Sequence, residues 1–176
     1  SFFTSPPANC MPSRLAAAGY RTEALHGNDA HFYRRSTWYP AIGIQEVIDL
    51  KRLPGASSSH CGGMWNGYCD LDLLDVTGRR AAPGTPPRFT YVLTLNTHLP
   101  AIAMTRGRAS LSGCRGRYSD EVCVHLENTQ RVMSAIAELA VRRAPATVVA
   151  VGDHAPPFSL DRDRRLRSEE HTSELQ

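Results

Sequence analysis

The sequence lacks several features that would mark whole classes of protein. No run approaches the roughly 18 consecutive apolar residues of a transmembrane helix, so no membrane span is predicted within these 176 residues. Arginine supplies nearly all of the positive charge, and no basic run alternates with aromatic side chains, which argues against nucleic-acid binding. No two cysteines have the C-x-x-C spacing of a zinc ribbon or a thioredoxin-type site.

The composition is that of a globular protein with an ordinary core. Hydrophobic residues make up 41% of the chain, and its length suits one domain or most of one. The formal net charge is +3 at pH 7. A basic balance of this size is typical of a soluble protein, and it also favours substrates that carry phosphate.

The five cysteines suggest two short covalent loops. Cys114 and Cys123 bracket a polar loop before a predicted helix, and Cys61 and Cys69 bracket a glycine-rich stretch. Either pair could form a disulfide, which would imply an oxidising compartment, and Cys10 would be left over. Free thiols buried in a cytoplasmic protein are the alternative.

Helix-like and strand-like segments alternate along the chain. This order predicts an α/β fold with a largely parallel central sheet flanked by helices. The apolar spacing in the longest helix is that of a core-facing stripe. The predicted helices are Pro12–Ala18, Asp29–Tyr39, Asp70–Val76 and Asp120–Arg143, and the predicted strands are Arg21–Leu25, Gln45–Leu50, Phe89–Leu95 and Thr147–Val151.

Three of the predicted strands end in a polar cluster that contains a histidine. His26 follows the first strand, His98 follows the third, and Asp153 and His154 follow the β-branched run that ends at Gly152. Because ligands of open α/β sheets bind at the carboxyl ends of the strands, we expect these clusters to converge. A carboxylate beside an imidazole could hold a divalent cation, and zinc and manganese fit equally well. The alternative is a polar turn in which Asp153 caps a local amide.

These motifs, in this order, resemble the alkaline-phosphatase/sulfatase superfamily. The resemblance is to the branch that contains phosphoglycerol transferases, phosphoethanolamine transferases and lipoteichoic acid synthases. The matching segments are Gly19-Tyr20-Arg21-Thr22, His26-Gly27-Asn28, Phe32-Tyr33-Arg34-Arg35, Tyr39 to Ile44, Asn96-Thr97-His98-Leu99-Pro100 and Gly152-Asp153-His154. Residues 1–166 are thus expected to form the C-terminal portion of a sulfatase-like, alkaline-phosphatase-like domain. Residues 167–176 resemble the translation of a sequencing-library adapter and are expected not to be native.

The resemblance implies a role for each matched side chain. Asp153 and His154 would ligate the catalytic divalent metal, zinc or manganese. His98 would contact the phosphoryl oxygens or, as in relatives with two metals, a second ion. Arg35 and His26 would hold the phosphate of the transferred group.

The aromatic position of the matched segment implies a binding pocket. Tyr33 stands where relatives often carry tryptophan, and it would line the pocket for the head group. Tyr33, His26, Arg35 and His98 would therefore bind substrate, and Arg35 and His98 would also act in catalysis.

The implied function is a metal-dependent transferase of phosphoethanolamine or phosphoglycerol head groups. Its partners would be a phospholipid donor and a cell-envelope acceptor. In such enzymes a metal-activated serine or threonine attacks phosphorus, and both this nucleophile and an acidic metal ligand are expected before Ser1. The resemblance also implies membrane anchoring by preceding helices and a location at the periplasmic face of the inner membrane. This fragment alone is expected to be inactive.

Two other functions remain open. Cys10-Met11-Pro12-Ser13-Arg14 fits the sulfatase signature C-x-P-S-R, whose cysteine becomes formylglycine. With Cys10 as nucleophile, the enzyme would hydrolyse sulfate or phosphonate esters. However, the Thr-Gly that closes that signature is not in register. The second alternative is a non-catalytic relative that binds an anion.

Overall fold

The structure, a computed structural model, describes residues 9–55, 61, 67–80, 86–107, 109, 111–143, 145–154 and 156. The chain divides into two compact units, Ser1–Leu95 and Asn96–Gln176. The predicted non-native tail, 167–176, lies outside the described residues. The first unit contains α1 (Met11–Ala17), β1 (Arg21–His26), α2 (Arg35–Ala41), β2 (Glu46–Ile48), α3 (Asp70–Arg80) and β3 (Arg88–Leu93), and the second contains α4 (Asp120–Arg142).

The first unit is built on a parallel sheet with the strand order β2-β1-β3. In this sheet Glu23 of β1 lies opposite Glu46, and His26 lies opposite Leu93. Parallel neighbours need long crossover connections, which here contain α2 and α3. The central strand, β1, is buried from Thr22 to His26, as expected for a strand covered on both faces. The predicted fold class, α/β with a parallel sheet and flanking helices, is confirmed.

Alternating residues of β1 contribute to two apolar clusters, because successive side chains of a strand point to opposite faces. One cluster lies on the face covered by α3 and consists of Leu25, Ile48, Leu53, Tyr68, Leu73 and Val76. The other contains Ala24, Tyr39 and Ile44. Packing on both faces holds the carboxyl end of β1, where His26 lies, in a fixed position.

A buried carboxylate, Glu23, lies in the middle of β1. Its Oε2 accepts hydrogen bonds from Arg80 at 2.9 Å and Arg88 at 2.7 Å, and its Oε1 accepts one from Thr90 at 2.9 Å. Burial alone would raise the pKa of Glu23. The hydrogen bonds from Arg80 and Thr90 and the two arginine charges outweigh burial, so the pKa lies below its usual value. This network ties β1 to β3 and α3 and compensates the cost of a buried charge.

The second unit is organised by α4, which has 23 residues. Ser119 is its N-cap and accepts a hydrogen bond from the Val122 amide at 3.3 Å, while Asp120 and Glu121 lie in the first turn. Acidic residues there interact favourably with the helix dipole. Among the described residues, no helix combines the length and the apolar character needed to cross a bilayer. The buried positions of α4 are Val122, Cys123, Asn128, Val132 and Leu139.

Both predicted disulfides are present. Cys61 is bonded to Cys69 in the first unit, and Cys114 is bonded to Cys123 in the second. Cys10 is a free thiol. The Cys114–Cys123 bond fastens the preceding loop to the first turn of α4.

The predicted strand Thr147–Val151 is wrong for this structure. Residues 146–151 have no regular secondary structure, and Val149 and Val151 are 79% and 85% exposed. A β-branched run becomes a strand only when a neighbouring strand satisfies its backbone groups. Within the described residues, this run pairs with no strand.

The predicted helix Asp29–Tyr39 begins later than expected. A 3-10 turn, Phe32–Arg34, precedes α2, and Tyr33 and Arg34 both have a φ of 55°. This left-handed conformation interrupts the helical path, so α2 begins at Arg35. The other predicted helices and strands of the first unit are present with small shifts at their ends.

Candidate active site

His26 is the last residue of the central strand and is only 1% exposed. Its Nδ1 lies 3.1 Å from the carbonyl oxygen of Leu93 on the neighbouring strand. Since a carbonyl can only accept, Nδ1 carries the proton and Nε2 presents a lone pair. Within the described residues, Nε2 is buried without a hydrogen-bond partner.

The environment of His26 keeps its ring uncharged. Burial lowers the pKa of His26 to about 4, against the opposing effect of the Leu93 hydrogen bond. The nearby charge of Arg35 lowers it further, while the Asp49 carboxylate acts in the opposite direction. The imidazole is therefore neutral near pH 7.

Gly27 follows His26 because a side chain would not fit there. A Cβ at Gly27 would lie 2.7 Å from the carbonyl oxygen of Tyr68 and 3.2 Å from the Leu95 side chain. The Gly27 carbonyl also accepts a hydrogen bond from the Tyr68 amide at 2.7 Å. The close approach of these two backbones fixes the turn that leaves β1, and it explains the His-Gly pair of the sequence motif.

Arg35 is the first residue of α2 and is 9% exposed. One guanidinium nitrogen donates to the Phe32 carbonyl at 3.1 Å, and the guanidinium carbon lies 5.2 Å from the centre of the Tyr33 ring. This is a cation–π contact, which orients the guanidinium. Tyr33 contacts Arg35, and the charge of Arg35 acts on His26, so these three residues lie in one neighbourhood of the first unit. Their roles in binding stay a prediction.

The turn before α2 stores backbone strain. Tyr33 and Arg34 are consecutive non-glycine residues in the left-handed region, and the Tyr33 side chain is 68% exposed. Strain of this kind costs about 1–3 kcal/mol per residue and clusters at functional sites. The turn is braced by a hydrogen bond from the Ser36 amide to the Ala30 carbonyl at 2.8 Å.

Sequence reasoning missed two buried carboxylates that support this region. Asp49 follows β2 and accepts hydrogen bonds from the amides of Ala30 at 3.1 Å and Lys51 at 3.2 Å. Asp70 begins α3 and accepts one from the Leu95 amide at 2.8 Å, just after β3. Asp49 follows a strand, but no histidine lies beside it in the sequence, so the histidine pattern gives no signal for Asp49.

The second unit brings His98 and His154 together. Their ring centres are 5.8 Å apart, with an angle of 83° between the ring planes. The Nδ1 of His98 hydrogen bonds to the carbonyl of Leu99. Asp153 and His154 lie in the exposed stretch 145–154. At this separation both imidazoles could reach one ion or one phosphoryl group between them.

The donor chemistry of this group fits a divalent cation in part. Asp153 supplies a carboxylate and His154 an imidazole, and the carbonyl contact of His98 is the kind that fixes a ring near a metal. Within the described residues, however, no three potential ligand side chains converge on one point. Asp153 and His154 would therefore form part of a ligand set that another oxygen ligand must complete.

Cys10, the competing nucleophile, is the N-cap residue of α1 and is partly buried. Ser13, one turn along α1, packs on Gly43, whose carbonyl accepts a hydrogen bond from the Thr22 hydroxyl at 2.6 Å. His26 lies four residues beyond Thr22 along β1, roughly 13 Å away at about 3.3 Å per residue.

Two solved structures share this fold, and a third shows a weaker likeness. The lipoteichoic acid synthase LtaP from Listeria monocytogenes is 20% identical with a TM-score of 0.59, over 75% of this chain and 32% of that protein. A protein of the alkaline phosphatase superfamily from Vibrio parahaemolyticus is 19% identical with a TM-score of 0.54, over 73% and 31%. The phosphoglycerol transferase GacH from Streptococcus pyogenes, solved with sn-glycerol-1-phosphate, is 14% identical with a TM-score of 0.46, over 69% and 33%. The chain thus spans about a third of the length of each of these proteins.

Comparison at the level of sequence identifies the family. A search among curated proteins gives no significant match. The model of the Sulfatase family matches residues 5–174, almost the whole chain. This match and the shared fold confirm the superfamily predicted from the motifs. The chain belongs to the sulfatase family.

Proposed function

We propose that this chain is the C-terminal part of a metal-dependent transferase of phosphoryl head groups. The donor would be a membrane phospholipid with a phosphoethanolamine or phosphoglycerol head group, and the acceptor a cell-envelope glycan or lipid. The observation that carries the proposal is the buried guanidinium of Arg35 beside the buried, uncharged His26 at the carboxyl end of the central strand.

Arg35 would bind the phosphoryl group. A guanidinium offers parallel N–H donors that match two phosphate oxygens, and burial strengthens that contact because water competes less. Its contact with Tyr33 fixes the plane in which the donors lie. Arg35 would thereby stabilise the negative charge spread over the phosphoryl oxygens during transfer.

His26 would recognise a hydrogen-bond donor of the head group, which replaces the expectation from the resemblance that it holds the phosphate. With Nδ1 donating to Leu93, Nε2 can only accept, so its natural partner is a hydroxyl or ammonium hydrogen rather than a phosphate oxygen. Glycerol hydroxyls and the ethanolamine ammonium both provide such a hydrogen. Tyr33, exposed beside Arg35, would cover the other side of the head group.

Asp153 and His154 would ligate the metal, as the resemblance implies. A divalent cation held by Asp153 and His154 would lower the pKa of a nucleophilic hydroxyl and neutralise charge on the phosphoryl group. His98, whose ring lies 5.8 Å from that of His154, would donate to or orient a phosphoryl oxygen. The nucleophile and the remaining acidic ligand are expected in sequence that precedes Ser1.

Two observations favour this function and setting over a sulfatase that uses Cys10. The Thr-Gly that closes the sulfatase signature is not in register after Cys10, so the match to that signature is incomplete. The two disulfides are typical of proteins in oxidising compartments, which supports an extracytoplasmic location at the periplasmic face of the membrane.

The test uses the full-length product of the gene that contains this chain. It is incubated with vesicles that contain fluorescent phosphatidylglycerol or phosphatidylethanolamine, and release of fluorescent diacylglycerol is measured. A parallel reaction uses p-nitrophenyl sulfate. Each is run with Mn²⁺, with Zn²⁺ and with EDTA, for the unmodified protein and the Cys10→Ala variant.

The expected result is diacylglycerol release that needs a divalent cation and is unchanged in Cys10→Ala. Hydrolysis of the sulfate ester that is lost in Cys10→Ala, without lipid turnover, would replace the proposal with the sulfatase function. Absence of turnover of either substrate, with retained affinity for glycerol phosphate, would indicate a non-catalytic anion-binding relative.

A further inference from the structure

The segment that carries His98 has no helix or strand, yet one buried side chain holds both of its ends. That side chain is Asn128, which lies on α4 and is 0% exposed. Its Nδ2 donates to the carbonyls of Asn96 at 2.8 Å and Ile102 at 2.9 Å, and its Oδ1 accepts from the Met104 amide at 3.0 Å. We call residues 96–104 the His98 loop.

The chemistry of these contacts fixes the orientation of the Asn128 amide. Two of its three partners are carbonyls, which only accept, and the third is an amide N–H, which only donates. Only Nδ2 can serve the two carbonyls, so a flipped amide would lose all three hydrogen bonds. Asn128 therefore clamps the His98 loop in one arrangement.

A second side chain of α4 contacts the same loop. His125 lies three residues before Asn128, so both project from one face of the helix. Burial lowers the pKa of His125, partly offset by a hydrogen bond to the Thr97 backbone. The residue next to His98 is thus held by His125 while the loop around it is held by Asn128.

We propose that Asn128 is a positioning residue for His98. The inference rests on the proposed function, in which His98 contacts the phosphoryl group. A loop of nine residues without regular structure would otherwise sample many conformations, and misplacing a catalytic group by about 1 Å can cost about 100-fold in rate. Asn128 restricts the loop so that His98 meets the phosphoryl group without a further ordering step.

The experiment compares Asn128 variants in the presence and absence of His98. Asn128→Asp keeps the size and the acceptor for Met104 but removes both donors, and Asn128→Ala removes all three contacts. Each is made in the full-length protein alone and combined with His98→Ala. Ser134→Ala, an exposed change on the same helix, is the control. Turnover of the fluorescent phospholipid and amide hydrogen exchange are measured for all.

Both Asn128 variants should lower kcat by about 10- to 100-fold with little change in KM, the loss typical of a supporting contact. In the His98→Ala background neither should lower activity further, because Asn128 acts through His98. The Met104 amide should exchange slowly in the unmodified protein and rapidly in the variants. Ser134→Ala should match the unmodified protein.

Three results would overturn the inference. The first is an additive loss in the His98→Ala background, because a merely structural defect does not depend on His98. The second is unchanged activity in Asn128→Asp. The third, which needs no variant to fold, is rapid exchange of the Met104 amide in the unmodified protein. An active enzyme in which His98→Ala has no effect would instead remove the proposed role of His98, and hydrogen exchange would still decide whether Asn128 clamps the loop.

Discussion

The candidate site residues of the two units are held by different means. In the first unit, His26 ends a buried central strand and Arg35 begins a packed helix, and both side chains are almost inaccessible. In the second unit, Asp153 and His154 lie on an exposed stretch without regular structure. The first group is fixed by the same contacts that stabilise the fold, whereas the second has few such contacts.

Under the proposed function, this difference would give substitutions of the recognition residues and of the metal ligands different effects on stability and activity. A residue that is part of the core affects both stability and activity when it is changed, whereas an exposed ligand should affect activity alone. Binding a cation would itself order an exposed ligand, since affinity for metal is coupled to the structure of its site. Each prediction below tests one side of this contrast.

The largest effect is expected for Asp153→Asn. Loss of a carboxylate ligand should remove several kcal/mol of transition-state stabilisation, about 1000-fold in kcat/KM. Because Asp153 is exposed, the free energy of unfolding without metal should change by less than about 0.5 kcal/mol. Activity, Mn²⁺ affinity by calorimetry and thermal unfolding measure these effects. A clear loss of stability without metal would contradict the contrast.

The next largest effect is on stability as a function of pH, through His26. Its folded pKa of about 4 lies below the usual 6.5, so the unfolded chain takes up this proton first as pH falls. The stabilisation is complete above pH 6.5 and is lost between pH 6.5 and 4, by about 3 kcal/mol for a shift of this size. Denaturant unfolding at each pH should show this loss. In His26→Gln, the free energy of unfolding should depend less steeply on pH.

His31→Gln is the matched control, since His31 is exposed. The loss of stability assigned to His26 should persist in this variant. The free energy of unfolding of His26→Gln should still depend on pH in part, because burial also lowers the pKa of His125. A pH profile that His26→Gln does not alter would show that the ring is not held neutral by burial.

A smaller effect is expected for Arg35→Lys, which keeps the positive charge but loses the parallel N–H donors of the guanidinium. Lysine cannot make the bidentate contact, so kcat/KM should fall by about 100-fold. Loss of the contacts to Phe32 and Tyr33 should also lower the free energy of unfolding by about 1 kcal/mol. Arg34→Lys, an exposed neighbour with the same change, is the control. Equal effects of the two variants on turnover would contradict the role of Arg35.

Sequence reasoning succeeded where local pattern and tertiary structure agree. The first unit could be predicted because apolar strands, helix ends and glycine stops follow one another in a typical α/β order. The cysteine pairs could be predicted because each closes a short loop. The resemblance implied roles for His26, Tyr33 and Arg35, which lie on one strand, one turn and one helix start, and those roles stay a prediction.

Sequence reasoning failed where the conformation of a residue depends on residues far away in the sequence. Val149 and Val151 look like a core strand, but pairing depends on whether a neighbouring strand is available. The sequence around Tyr33 gives no sign of its left-handed conformation, because tyrosine has no preference for a positive φ. Asn128 looks like a polar interruption of the apolar face of α4. Only the backbone groups of the His98 loop, 24 to 32 residues away in sequence, explain why an amide is buried there.

The smallest effect is expected at the first turn of α4, the helix that organises the second unit. Ser119→Ala removes the side chain that accepts from the Val122 amide, and loss of such a cap costs about 1 kcal/mol. The Cys114–Cys123 bond already holds the first turn, so the cost should be near 0.5 kcal/mol in the oxidised protein and larger after reduction. Ser134→Ala, the same change at an exposed position within α4, should be neutral or slightly stabilising because alanine favours helix. Denaturant unfolding of both variants, oxidised and reduced, measures the difference. Equal costs before and after reduction would contradict this prediction. They would mean that the cap and the disulfide hold different parts of the helix.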